Sequence, residues 1–454
     1  MKKTVILSYS LALNLGLAGA AFAAVSVEQA SQLGAALTPL GAEMAGNAAG
    51  TIPAWTGGLA MDAGSRDAAG FLSNPFAGEQ PLFVITAQNL AQYQDNLTPG
   101  QLAMFKRYPG TYQLPVYPSH RSANAPDFVY QAAKVNATNT TMVEGGNGLA
   151  EFSTAIPFPI PQNGLEVVWN HLTRYRGGSV KRSHVQAVPL ANGSFVPVHF
   201  KDQFTFRDRI AGFDPANPGN VLFYYKQLVT APSRLSGDVL LVHETLNQVK
   251  EPRLAWLYNA GQRRVRRAPQ VSYDGPYPAS EGQRVADTQD MFNGAPDRYD
   301  WKLVGKREIY IPYNSYRLDG ADLKYADIVK PGHINPELTR YELHRVWQVE
   351  ATLKPGERHI YARRVFFVDE DSWQIALADH YDARGTLWRV AEGHLSPMYD
   401  LQIPWLGTEA LYDLINGRYI VSGMHNEEKE PLQFGFTSSA AEYTAAALRS
   451  SGIR

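Results

Sequence analysis

Eleven histidines and 43 carboxylates supply material for a metal or acid–base site, so their spacing is the first test. His243-Glu244 continues as Thr245-Leu246-Asn247. The second histidine that would put two imidazoles on one helical face is missing, and the zinc-protease pattern fails. Asp369-Glu370-Asp371 and His380-Tyr381-Asp382 can approach a cation, but both sit beside strand ends where acidic turn residues are ordinary. No metal is expected. No Gly-x-Ser-x-Gly elbow presents a nucleophile. The absence of cysteine removes thiol nucleophiles, thiolate metal sites and disulfides together. Gly145-Gly146-Asn147-Gly148 lacks the lysine and hydroxyl residue of a phosphate loop and reads as a flexible loop. No catalytic residue and no cofactor is assigned, and an enzyme is not expected.

Two other groupings point to binding. Arg263-Arg264-Val265-Arg266-Arg267 puts Arg263 and Arg267 on one face of a strand and Arg264 and Arg266 on the other. Four cations at that density call for carboxylates, an anionic headgroup or an acidic partner, and these four are the candidate partner or headgroup contacts. The second grouping is aromatic: Tyr, Phe and Trp make up 11% of the chain. Trp256, Tyr258, Trp301, Tyr310, Tyr313 and Trp347 all fall on alternating segments. Core packing accounts for many such side chains, but a bent sheet that cannot fill its own concave side leaves an aromatic-lined cavity. These six are the candidate ligand-lining residues.

The elements that would carry them are strands. Along Tyr341–Leu353 the odd-numbered residues are mostly apolar, whereas the even-numbered ones include Glu342, His344, Gln348 and Glu350. This pattern predicts a long strand with Trp347, Val349 and Ala351 covered and the other face solvated. Similar runs cover 221–229, 239–246, 253–258, 301–314, 359–368, 373–381 and 386–392. Few helical stretches intervene, so a parallel Rossmann-type sheet is not expected. An antiparallel sheet of eight or more strands must curl, close or be covered. Residues 24–165 have a different texture, rich in Pro, Gly and Asn breaks, and read as a helical wrapping extension. Helices are predicted there over 87–95, 99–108 and 126–136, the second capped by Thr98.

Composition supports an exported, folded chain. The 454 residues carry a net charge of -1, which gives no basic field for nucleic acid. Met1-Lys2-Lys3, an apolar stretch and Ala21-Phe22-Ala23 match a cleaved signal peptide spanning residues 1–23. No later segment is apolar for the length a transmembrane helix requires. A periplasmic location is expected.

Several blocks carry a family likeness. They include Leu37-Thr38-Pro39-Leu40-Gly41-Ala42-Glu43, Gly50-Thr51-Ile52-Pro53-Ala54-Trp55-Thr56-Gly57-Gly58 and Tyr117-Pro118-Ser119-His120-Arg121-Ser122-Ala123. Ile156-Pro157-Phe158-Pro159-Ile160-Pro161, Gly164-Leu165-Glu166 and Trp169-Asn170-His171 follow. Later come the arginine run, Met291-Phe292-Asn293-Gly294, Pro296-Asp297-Arg298-Tyr299-Asp300-Trp301 and Tyr310-Ile311-Pro312-Tyr313-Asn314. The chain resembles the Gram-negative envelope family of domain of unknown function DUF1329, whose fold is similar to the LolA/LolB lipoprotein-sorting carriers. The resemblance implies a mainly β (α+β) fold over 166–454, a strongly curved antiparallel sheet or incomplete barrel with covering helices, one of them C-terminal. It further implies a periplasmic carrier of a hydrophobic or lipid-like molecule. Its partner classes would be a resistance-nodulation-division exporter and an outer-membrane β-barrel. A non-catalytic structural subunit of an envelope complex and a periplasmic lipid or glycan hydrolase are the alternatives.

Overall fold

Alternation of apolar and polar residues builds two runs of strands in a computed structural model that describes residues 25–268, 273–430 and 432–452. The signal sequence and its cleavage pattern lie outside the described residues. The first run is β1 (Ser179–Ala187), β2 (Val198–Phe206), β3 (Val221–Ala231), β4 (Val239–Thr245), β5 (Leu254–Asn259) and β6 (Arg264–Arg267). The second is β7 (Tyr299–Pro312), β8 (Tyr341–Leu353), β9 (Arg363–Asp369), β10 (Ile375–Tyr381), β11 (Leu387–Leu395), β12 (Leu406–Asp413) and β13 (Tyr419–Met424). With short strands at Phe83–Ile85, Leu114–Val116 and Gln433–Phe434 they form one sheet of 16 strands.

The sheet order runs from Phe83–Ile85 and Leu114–Val116 through β8 to β13, then β1 to β6. β7 pairs with β8. After those two short strands at one end, the chain re-enters the sheet in its middle at β1, runs out to the β6 edge, crosses to β7 and returns to β13. There Val421 and Ser422 pair with Ala187 and Gln186 of β1. The two ends do not pair among the described residues, so this mostly β sheet is not closed into a barrel.

Strand β8 occupies the expected residues, and Val349 and Ala351 are fully buried on its covered face, with Trp347 half-buried. Its other face departs from the expectation of solvent. Glu342, His344 and Val346 are buried as well. The N-terminal chain lies over them: the His120 N–H donates to Glu342 at 2.7 Å and the Ser119 hydroxyl to the Leu343 carbonyl at 2.7 Å. Arg340 and Asn314 also donate to Glu342, at 2.6 and 2.9 Å. Alternation reports polarity, and polar side chains are buried where enough partners converge on them.

Two predicted helices form near their expected bounds, α1 (Pro99–Arg107), capped by Thr98, and α2 (Asp127–Asn139). The helix expected over 87–95 does not form. Two 3₁₀ turns, Leu90–Gln92 and Gln94–Asn96, stand there instead. The Asn89 side chain accepts from the Thr86 N–H at 2.7 Å and donates to the Val84 carbonyl at 2.9 Å, closing a turn in competition with helix. Two further helices are α3 (Gly164–Thr173) and α4 (Ala445–Gly452). No helix of the described residues is long and apolar enough to cross a membrane.

Candidate ligand cavity

Helix α3 organises the site. The Asn163 side chain accepts from the Glu166 N–H at 3.0 Å and donates to the Glu166 carboxylate at 2.8 Å, fixing the first turn with an acidic residue at its positive end. Gly164 is required for close approach: a Cβ there would lie 2.8 Å from the Lys302 carbonyl carbon. Val167 and Val168 belong to a core cluster with Val349, Phe366, Trp373, Leu411 and Ile420. Trp169 belongs to a different one, with Val180, Phe204, Leu240 and Val242. One ten-residue helix therefore meets strands from both halves of the sheet. Only a sheet that curls around the helix brings them together.

His171 locks the helix in place. Its Nδ1 accepts from the Ile375 N–H at 3.2 Å, and its Nε2 donates to the Asp290 and Phe292 carbonyls, both at 3.0 Å. Burial pushes its pKa down to about 3, so the ring is neutral and this tautomer is the one the bonds select. The Trp169 indole N–H donates to the Gly146 carbonyl at 2.9 Å. The glycine-rich stretch read as a flexible loop is instead a turn between paired strands Thr141–Val143 and Gly148–Ala150, pinned to α3.

A cavity lies between one face of β1–β4 and a cover made of α3 and residues 277–296. It encloses about 130 Å³, or about 1430 Å³ when the solvent entering its mouth is included. Phe204, Leu222, Tyr225, Leu240 and Val242 form its strand wall, and Trp169 and Leu172 face them from the helix.

Charge enters this apolar space only in pairs. Asp202 Oδ2 accepts from His184 Nε2 at 2.8 Å, the Tyr225 hydroxyl at 2.9 Å and Arg182 Nη2 at 3.2 Å. Burial pushes the Asp202 carboxyl up, but His184, Arg182 and Tyr225 outweigh it and hold the pKa at about 2. Asp202 Oδ1 has no hydrogen-bond partner among the described residues. At the other end Asp290 joins Arg174 and, at 2.6 Å, Arg176, whose guanidinium lies 4.7 Å from the Phe204 ring centre. Burial opposes ionisation of Asp290 as well, and the two arginines again win, leaving its pKa at about 2. Glu244 pairs with Arg253 at 2.8 Å. The cavity thus combines an apolar wall with a set of ion-paired side chains at its ends, an arrangement able to hold an apolar molecule and orient its polar end.

None of the six aromatics expected to line a cavity lines this one. Trp256 and Tyr258 lie on the opposite face of the sheet, in a cluster with Leu241, Tyr443 and Leu448 of α4. Their strand was correctly placed, but its even-numbered residues face away from the cavity. Trp301 sits behind the cover, donating to the Pro296 carbonyl at 2.8 Å, with its ring 5.5 Å from that of Phe292. Tyr310 packs against Phe83 and Tyr93 of the N-terminal chain. Tyr313 is fully buried and stacks on His344 at 4.0 Å, and Trp347 stacks on Trp373 at 6.3 Å. The arginine run forms the edge strand β6 and the turn before it. Arg263, Arg264, Arg266 and Arg267 are all exposed, and none has an ion pair among the described residues. The aromatics that do line the cavity, among them Trp169, Phe204, Phe223, Tyr225, Tyr277 and Trp405, escaped sequence reasoning because nothing in residue type separates them from the rings that pack elsewhere. Helix α3 had a legible signal, Asn163 three residues before Glu166 and apolar residues at 165, 168, 169 and 172.

An open, mostly β sheet curled around a plugging helix, with an ion-paired apolar cavity beside it, defines the architecture. The chain belongs to the DUF1329 family, a protein family of unknown function, whose profile matches residues 84–449. Uncharacterized protein PA3922 of Pseudomonas aeruginosa is 67% identical over 456 residues, covering 100% of both chains. Among solved structures, a DUF1329 family protein from Desulfovibrio piger is similar over 60% of this chain and 92% of its own, with 17% identity and a TM-score of 0.41. LolA superfamily protein NE2245 from Nitrosomonas europaea is 11% identical, over 63% of this chain and 98% of its own, with a TM-score of 0.38.

Proposed function

We propose that the protein is a periplasmic carrier that holds a lipid-like molecule in the cavity between β1–β4 and α3. The observation that supports this reading is the cavity itself: an apolar wall with Asp202, Arg182 and the Asp290 pairs fixed at its ends. Burying ten ligand methylenes at about 0.8 kcal/mol each contributes roughly 8 kcal/mol before the costs of association. The ion pairs add orientation more than affinity.

The exposed arginines of β6 and its preceding turn form the docking edge in this proposal. They lie at an open sheet edge, and they would meet an acidic strand or surface of an exporter of the resistance-nodulation-division class or an outer-membrane β-barrel. Solvent-stripped protein titrated with a fluorescent fatty-acyl probe tests the carrier reading. Saturable binding of about one probe per chain is expected. Absence of binding to the folded, stripped protein contradicts the reading and favours a structural subunit.

A further inference from the structure

A second site lies on the face of β8 opposite α3, where the turn after β9 meets that strand. His344, Asp369 and Asp371 each present one ligand atom there, and the three atoms lie within 4.8 Å of one another, all in buried residues. His344 Nδ1 faces Asp369 Oδ1 across 4.0 Å, too far for a hydrogen bond. That oxygen has no partner among the described residues, although Asp369 is 1% exposed. An ionised oxygen buried without a partner is costly, and either a proton or an ion of opposite charge relieves it.

The surroundings of the three residues are arranged as in a metal centre. His344 Nε2 bonds Glu342 at 3.1 Å, the outer carboxylate that fixes a ligating imidazole and leaves its other nitrogen free. Asp369 Oδ2 accepts from the Ser372 N–H at 3.0 Å and its hydroxyl at 2.5 Å, which aims Oδ1 at the gap. Asp371 is gripped by Arg121, Nε to Oδ2 at 2.9 Å and Nη2 to Oδ1 at 2.6 Å, leaving its outer lone pairs for an ion. The Tyr313 ring covers the imidazole at 4.0 Å.

Charge balance points the same way. The carboxylates also belong to a connected network that joins Glu43, Glu79, Glu308, Glu342, Asp369, Glu370 and Asp371 to Arg121, Lys306, Arg340 and Arg345, so carboxylates outnumber the guanidinium and ammonium groups and an added cation is favoured.

We infer that His344, Asp369 and Asp371 bind one divalent transition-metal ion, with Zn²⁺ the best match to one imidazole and two carboxylates. Metal–ligand distances of about 2.0–2.2 Å require the three atoms to draw together by about 1 Å, within reach of side-chain rotation, with water as a fourth ligand. The ion would staple the turn after β9 to β8 beneath the N-terminal chain, which Arg121 brings to the same carboxylates. Its role there is structural.

Tag-free mature protein, purified without chelator, is assayed for metals by mass spectrometry, then stripped and titrated with Zn²⁺ and Co²⁺ while melting is followed. The expected results are about one ion per chain at saturation, a melting temperature that falls on stripping and recovers with Zn²⁺, and a Co²⁺ visible absorption band. Asp369→Asn should weaken Zn²⁺ binding at least tenfold and abolish the band. Glu281→Gln, a carboxylate outside the network that pairs with Arg418, should change neither. Should Asp369→Asn not fold, the wild-type stoichiometry and the Co²⁺ band still decide. No binding of either ion to the stripped, folded chain, or binding that survives both Asp369→Asn and His344→Gln, overturns the site.

Discussion

Replacing Leu240 by phenylalanine fills the cavity from its strand wall. Leu240 is buried, its side chain belongs to the cavity face, and its cross-strand neighbours are Gln227 and Leu257. The change adds three carbon atoms where the proposed ligand lies. Displacing about three ligand methylenes at about 0.8 kcal/mol each removes roughly 2.4 kcal/mol of binding, about a 50-fold loss of affinity. Phenylalanine suits a strand, so folding should survive, with at most about 1–3 kcal/mol of overpacking cost if the ring meets the opposite wall. The assay is displacement of a fluorescent acyl probe from stripped protein, alongside a melting curve. A variant that melts like the wild type and binds the probe equally well refutes the placement of the ligand against β4.

Trp256→Ala supplies the complementary result: it should lower the melting temperature by loosening α4, while probe affinity stays unchanged, because Trp256 is on the face away from the cavity. Asp379→Asn tests a buried carboxyl near the start of α1, where the Gly100 N–H donates to it at 2.9 Å. Burial raises the Asp379 pKa to about 7, so the folded state keeps a proton that the unfolded chain releases near pH 4, and stability falls as pH rises through that window. The variant should gain on the wild type between pH 5 and pH 8, by up to about 4 kcal/mol, as read from paired denaturant melts; a gap that does not widen with pH contradicts the placement. Arg264→Glu with Arg266→Glu should leave stability within about 0.5 kcal/mol, since both side chains are exposed. It should also slow ligand transfer to an acidic acceptor at low salt and leave the high-salt rate unchanged; equal rates at both salt concentrations remove β6 as the docking edge.

Strand positions were legible because alternation survives wherever one face is apolar, and β8 and β10 fall close to where the pattern put them. What the pattern could not report was which partner covers each face. Glu342 and His344 read as solvated, yet the chain near His120 and Arg340 buries them with matched hydrogen bonds. The same limit applies to the candidate lining residues, none of which lines this cavity. Trp256 and Tyr258 stand out by residue type, but the cavity wall uses the adjacent strand's Leu240 and Val242 on the opposite face. Aromatic content marks where a chain packs tightly. Free space falls beside rings such as Phe204 and Tyr225 as well as beside aliphatics and paired charges, and no sequence signature separates those rings from tightly packed ones. The cluster at Asp369 shows a further blind spot, since its histidine lies 25 positions upstream and reaches it only through the pairing of β8 with β9.

The carrier reading is tested most directly by native mass spectrometry of mature protein isolated gently from envelope extracts, with the adduct released and its mass determined. The account predicts a lipid-sized adduct, about one per chain, retained by the wild type and reduced in Leu240→Phe. A folded protein that carries no such adduct, and takes none up from an envelope lipid extract, contradicts it.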